Sequence, residues 1–172
     1  DSDIKDAQNA QALLYKKGKI VFENVSFSYG SDRHILKNIS FEIQPGETVA
    51  FVGETGAGKS TLSRLLFRFY DPSQGRILID DQDIKSVTQK SLRKILGMVP
   101  QDTVLFNDTL GYNIAYADSS ASFEQVQEAA QNAELGKFIA VLPEGLNTTV
   151  GERGLKLSGG EKQRVSIARA LL

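Results

Sequence analysis

The sequence predicts an α/β fold on three observations: a strand-like then helix-like stretch around GETGAGKS at residues 53–60, alternating apolar strands in the first half, and helical periodicity beyond Thr109. At 172 residues, 41% of them hydrophobic, the chain suits one domain with a sizeable core.

The opening residues 1–17 are polar and rich in Ala, Asn and Gln, and read as a tether or frayed end. Residues 19–27 (KIVFENVSF) and 39–43 (ISFEI) alternate apolar and polar side chains, as half-buried strands do. The turn QPGE at 44–47 leads into ETVAFVG, 47–53, whose β-branched and aromatic residues predict a buried parallel strand. Helical spacing follows over 60–69, then the turn DPSQ at 71–74 and a strand over 75–80. Residues 92–94 fall in a short helix, and 95–99 form a short strand ending at Pro100. Ser122 with Gln125 makes a capping box for a helix whose stripe is Phe123, Val126, Ala130 and Ala133. A second helix ends before Pro143, where Pro-Glu-Gly turns the chain. Ser158 and Glu161 form another capping box, opening a helix to Leu172 with Val165, Ala168 and Leu172 on one side. There is no internal repeat or low-complexity tract.

GETGAGKS fits GxxxxGK[ST] and stands in the strand-then-helix context that the pattern requires. Gly53, Gly56 and Gly58 are expected to adopt positive φ and to bring bare backbone N–H groups around phosphate oxygens. The helix opening near Lys59 aims its positive end at the same anion. Lys59 is expected on the β- and γ-phosphates of a nucleoside triphosphate, Ser60 on a Mg²⁺ touching those phosphates, and Thr61 near the α-phosphate. Glu54, Thr55 and Ala57 complete the loop as candidate nucleotide contacts.

Composition removes other chemistries. A net charge of −1, with 20 Lys and Arg scattered along the chain, leaves no basic stripe for nucleic acid. No apolar run approaches the roughly 18 residues of a membrane span, and the opening resembles no secretory signal. Zero cysteines exclude disulfides, thiol catalysis and thiolate metal sites. The single histidine, His34, cannot build a His-based metal site and is expected on a loop or strand edge.

Further along, LSGGEKQR at 157–164 resembles the signature motif of ATP-binding cassette (ABC) ATPases, and VPQD at 99–102 resembles their glutamine loop. With the phosphate loop, three ordered motifs agree over residues 19–172. TVGERG at 149–154 is similar to a segment of the exporter branch. Residues 64–70, ending LFRFY, resemble half-transporters of the mitochondrial iron–sulfur-linked and heavy-metal type. The resemblance implies a P-loop NTPase core with an antiparallel β subdomain and an α-helical subdomain at about 105–165, preceded by a tether over 1–18. It implies that Tyr29 stacks on adenine and that Gln101 reaches Mg²⁺ and the attacking water, making Lys59 and Gln101 the catalytic residues of this chain. Ser158, Gly159, Gly160 and Glu161 combine a hydroxyl, two residues without Cβ and a helix N-terminus, a surface suited to phosphate. The resemblance implies that this surface covers ATP held by a second ABC domain, paired head to tail as homodimer or heterodimer.

Family members continue into an apolar strand with an aspartate for Mg²⁺, a water-polarising glutamate and a switch histidine. None of these follows Leu172, so the 172 residues are expected to be part of a larger protein and to hydrolyse almost nothing alone. Asp80 and Asp81 follow the apolar Ile77-Leu-Ile79 but precede the glutamine loop, the wrong order for that strand. The resemblance thus implies the ATP-binding domain of an ABC exporter, using ATP and Mg²⁺, coupled to a transmembrane domain and lying on its cytoplasmic or mitochondrial matrix side. Two other readings are a soluble ABC ATPase acting on nucleic acid or ribosomes, and an unrelated phosphate-loop kinase or GTPase. The segment 149–154 opposes the first; the signature, and the lack of an NKxD motif, oppose the second.

Overall fold

The computed structural model describes residues 4–30 and 34–172, so residues 1–3 of the expected tether lie outside the described residues. The chain divides into two units, one up to Leu96 and one from Gly97 onward.

The first unit is built on a four-stranded antiparallel sheet in the order β2-β1-β3-β4. Strand β1 (Ile20–Ser28) pairs with β2 (His34–Ile43) on one side and β3 (Gln74–Ile79) on the other. Strand β4 (Gln82–Asp83) closes a hairpin with β3. The two hairpin residues, Asp80 and Asp81, take φ of 48° and 64°, the left-handed pair that matches the twist of a two-residue turn. Helices α1 (Lys59–Leu66) and α2 (Gln89–Lys94) belong to this unit. Val25, Leu65, Ile77, Ile84 and Leu92 are fully buried in its core, Val25 on the inward face of β1, Leu65 on the apolar side of α1 and Ile77 in the run Ile77-Leu78-Ile79 of β3, which is buried without alternation.

Two expected strands do not form. Residues 47–53 and 95–99 join no ladder among the described residues, and Val49, Phe51, Met98 and Val99 are exposed, with Val52 95% exposed. The physical reason is pairing: β-branched composition favours a pleated surface, but a strand exists only where a neighbour supplies its hydrogen bonds. The parallel core strand is therefore corrected to an unpaired segment that enters the phosphate loop.

The expected frayed end is also corrected. Residues 4–19 lie along the sheet and α2, held mostly through their backbone. Gln11 bridges to Val87, Leu13 is buried and donates its N–H to Ser91 Oγ, and Leu14 exchanges two hydrogen bonds with the Gln82 amide. Asp80, only 6% exposed, then accepts the backbone N–H groups of Lys16, Lys17, Gly18 and Lys19 at 2.7–3.1 Å. Arg68, 3% exposed just beyond α1, fastens the other end: it donates to Lys5, Ile84 and Val87 carbonyls and pairs with Asp71 and Asp6. A buried guanidinium is tolerable only when its donors find partners, and here Nε, Nη1 and Nη2 each do.

The second unit is mainly helical. Helices α3 (Leu110–Ala115), α4 (Phe123–Asn132), α5 (Gly136–Ala140) and α6 (Gly159–Leu171) surround a core that includes Ile114, Ala130, Leu135, Val165 and Ala168. A short ladder joins β5 (Asp108–Thr109) to β6 (Thr149–Val150). Both capping boxes form, Ser122 with Gln125 and Ser158 with Glu161. Val126, Ala130 and Ala133 are buried as the stripe predicts, but Phe123, in the first turn of α4, is exposed. Asn113 and Arg169 brace the stretch after the glutamine loop. Asn113 bonds Phe106 through both its amide groups, and Arg169 donates to the Asn113 and Val104 carbonyls.

Candidate nucleotide-binding site

The loop at residues 53–60 is shaped by two left-handed glycines. Gly56 and Gly58 have φ of 86° and 90°, whereas Gly53 does not adopt positive φ, which corrects one of the three expectations. A Cβ on Gly53 would instead stand 3.3 Å from that of Ala57, so its role is space. Gly58 has both reasons: a Cβ there would lie 2.8 Å from Leu36 Cδ2 and 3.2 Å from Ile35 Cγ2, so strand β2 packs directly beneath the turn.

Gly58 is the N-cap of α1, with no side-chain cap and no acidic residue in the first turn. Its carbonyl accepts from Thr61 and Leu62, while the N–H groups of Lys59 and Ser60 have no intrahelical carbonyl in reach. The positive helix end is thus left for an external acceptor. Lys59 Nζ donates to the Gly53 and Glu54 carbonyls, each at 2.7 Å, wrapping the ammonium across the loop and keeping one proton for another oxygen. Ala57 N–H returns to the Glu54 carbonyl at 3.1 Å, tightening the turn, and Glu54, Thr55, Gly56 and Ala57 are exposed. Ser60 is exposed, and its hydroxyl makes no hydrogen bond among the described residues.

These groups suit a nucleoside triphosphate with Mg²⁺. Among the described residues no cluster of three His, Cys, Asp or Glu could hold a metal ion. A free hydroxyl beside a phosphate cradle is the donor set Mg²⁺ accepts when phosphates and water supply its other ligands.

Tyr29 follows β1 and is 46% exposed. Its hydroxyl lies 3.2 Å from Thr61 Oγ1, so the structure joins it to the loop's own helix. Thr61, expected near the α-phosphate, is 3% exposed, and its hydroxyl lies against that of Tyr29.

Gln101 and the signature residues belong to the second unit. Gln101 is exposed in a bend, its amide free of hydrogen bonds among the described residues. Ser158, Gly159 and Gly160 are exposed, and a Cβ on Gly159 would meet nothing within 4 Å. Ser158 Oγ donates to Glu161 Oε2 at 2.8 Å and accepts from Glu161 N–H at 3.3 Å, so the hydroxyl serves the cap. The N–H groups of Gly159 and Gly160 remain open at the helix end. Nearby, residues 149–154 fold tightly: a Cβ on Gly154 would fall 2.5 Å from the Thr149 carbonyl. They border a cleft of about 370 Å³ with Thr103, Leu105, Lys156 and Lys162. Among the described residues no helix is long and apolar enough to cross a membrane.

The family described as "ABC transporter" matches residues 36–172. An ATM1-type heavy metal exporter of Novosphingobium aromaticivorans is 61% identical over 99% of the chain, and human ATP-binding cassette sub-family B member 6 is 57% identical over all of it. The mitochondrial iron-sulfur clusters transporter atm1 of Aspergillus fumigatus is 56% identical over 99%. The chain spans only 28%, 20% and 24% of these proteins' lengths. A solved structure of a bacterial Atm1-family ABC exporter with ATP bound superposes with a TM-score of 0.93 at 61% identity, covering 98% of the chain and 30% of that protein. With a phosphate loop, a glutamine loop and a capped signature helix in one matched sequence, the chain belongs to the ABC transporter family as a nucleotide-binding domain similar to those of Atm1-type exporters.

Proposed function

We propose that this domain binds Mg·ATP, pairs head to tail with a second ABC domain around the nucleotide, and couples that cycle to export through a transmembrane domain. The observation that carries the reading is the first turn of α1, where left-handed Gly58 leaves the Lys59 and Ser60 N–H groups open beside an ammonium fixed by two carbonyls. Residues 53–60 hold the triphosphate tail, Ser60 is a ligand of Mg²⁺, and Tyr29 offers its exposed ring to adenine. Gln101 completes the metal and water contacts. Ser158, Gly159, Gly160 and Glu161 present the phosphate-facing helix end to ATP bound by the partner, a homodimer or heterodimer mate. The exposed N–H groups of Gly159 and Gly160 support this, because the serine hydroxyl already caps the helix. The relatives' printed roles, a heavy metal exporter and a mitochondrial iron-sulfur clusters transporter, support a membrane exporter, and this reading sets the domain on the cytoplasmic or mitochondrial matrix side.

Pairing is tested by sedimentation with Mg²⁺ and a non-hydrolysable ATP analogue. The chain should shift from monomer to dimer. Ser158→Arg, which sets a bulky cation at the interface, should bind the analogue as before yet stay monomeric. A dimer that persists in the variant contradicts the trans contact.

A further inference from the structure

Tyr29 lies one residue past the last ladder pair of β1, Ser28 with His34, so strand pairing does not hold it. Its ring is held by side chains. Phe27 and Tyr70 meet it edge-on, at centroid distances of 4.8 and 5.1 Å and interplanar angles of 86° and 88°. These contacts hold the ring but leave its hydroxyl end to α1. There Thr61 Oγ1 stands at 3.2 Å, and Arg64 Nη1 donates to the Tyr29 oxygen at 3.0 Å. Thr61 and Arg64 are three residues apart and so share one face of the helix. Thr61 is buried; Arg64 reaches in from the surface, its guanidinium carbon 6.0 Å from the ring centroid. Two bonds to one hydroxyl fix the ring's tilt as well as its position.

We infer that Arg64 is a positioning residue for nucleobase recognition, locking the plane of Tyr29 through its hydroxyl and tying that platform to the helix whose N-terminus faces the phosphates. The inference rests on the ATP-binding reading above. A flat partner contributes most to stacking when its plane is set before the base arrives, because ordering then costs nothing on binding. The hydroxyl is therefore needed although a purine face would be met equally well by phenylalanine. Thr61 contributes from the same face, but Arg64 is the member whose removal leaves the core intact.

The test compares the affinities of ATP and inorganic tripolyphosphate, which lacks a base, by calorimetry. Arg64→Met should weaken ATP about fivefold, the worth of one lost hydrogen bond, and Tyr29→Phe, which also loses the Thr61 contact, at least as much. Both should leave tripolyphosphate unchanged, and the double variant should lose no more than Tyr29→Phe alone. Arg64→Lys should recover part of the loss. Unchanged ATP affinity in Arg64→Met would overturn the inference. So would an equal loss for tripolyphosphate, which would mean that Arg64 acts as a charge near the phosphates. Lys59→Ala separates the two readings. If it removes both ligands while Arg64→Met is neutral, only this inference falls; if it binds both normally, the phosphate-loop reading falls too.

Discussion

Lys59→Ala is expected to weaken ATP by at least about 30-fold, from the loss of charge-assisted hydrogen bonds to phosphate. The ammonium has two functions in the structure. It bridges the carbonyls of Gly53 and Glu54, fixing the loop's curvature, and it holds a proton for a ligand oxygen. Truncation removes both. Because the loop is exposed and Lys59 sits in the first turn of α1, the unfolding midpoint should move by only a few degrees. Equilibrium dialysis with labelled ATP, alongside a thermal melt, measures the two separately. Normal ATP retention in a folded variant would remove the phosphate role from this lysine.

Asp80→Asn should have the largest effect on stability. The carboxylate collects four consecutive backbone N–H groups that have no strand partner, and an amide can accept only through one oxygen while its NH₂ faces donors. Leaving buried donors unmet predicts a loss of about 3 kcal/mol, roughly 10 °C in the midpoint of a domain this size. The same group makes the fold acid-sensitive. Burial alone would raise the Asp80 carboxyl, but the N–H groups of Lys16, Gly18, Lys17 and Lys19 outweigh it and lower the pKa from 3.8 to about 2. A pKa lowered by folding contributes stability above the unfolded value and loses it as pH falls through the folded one. Wild-type melts should therefore weaken between about pH 4 and pH 2. The variant should start lower and lack this component. Identical acid profiles would show that Asp80 does not anchor residues 16–19.

What was legible in the sequence is what local rules govern. The capping boxes at Ser122 and Ser158 form because each needs only four consecutive residues. The phosphate loop is likewise local, although spacing alone does not separate Gly53, kept for room beside Ala57, from Gly56 and Gly58, kept for their backbone angle. Long-range partners were not legible. Residues 47–53 have the composition of a strand and no ladder, since composition says nothing about whether a neighbour is present. Residues 4–19 looked loose because they carry few apolar side chains; they bind through backbone groups to Asp80, Ser91 and Gln82, more than 60 residues away. Asp80, by its order along the chain, only imitates a catalytic motif, and its structural duty has no sequence signal beyond an aspartate in a hairpin turn. Arg64 was missed at the site for the same reason. Only its place one helical turn beyond Thr61 hinted that both could meet Tyr29.

The central claim is that the open first turn of α1 and its lysine grip the triphosphate tail, with the base adding a smaller contact. Calorimetric titration of the chain with ATP and with AMP in the presence of Mg²⁺ tests this directly. The account predicts that ATP binds at least about 100-fold more tightly, since AMP brings the base without the β- and γ-phosphates that the Lys59 and Ser60 groups await. Equal affinities for AMP and ATP would contradict it, because the β- and γ-phosphates would then add nothing to binding.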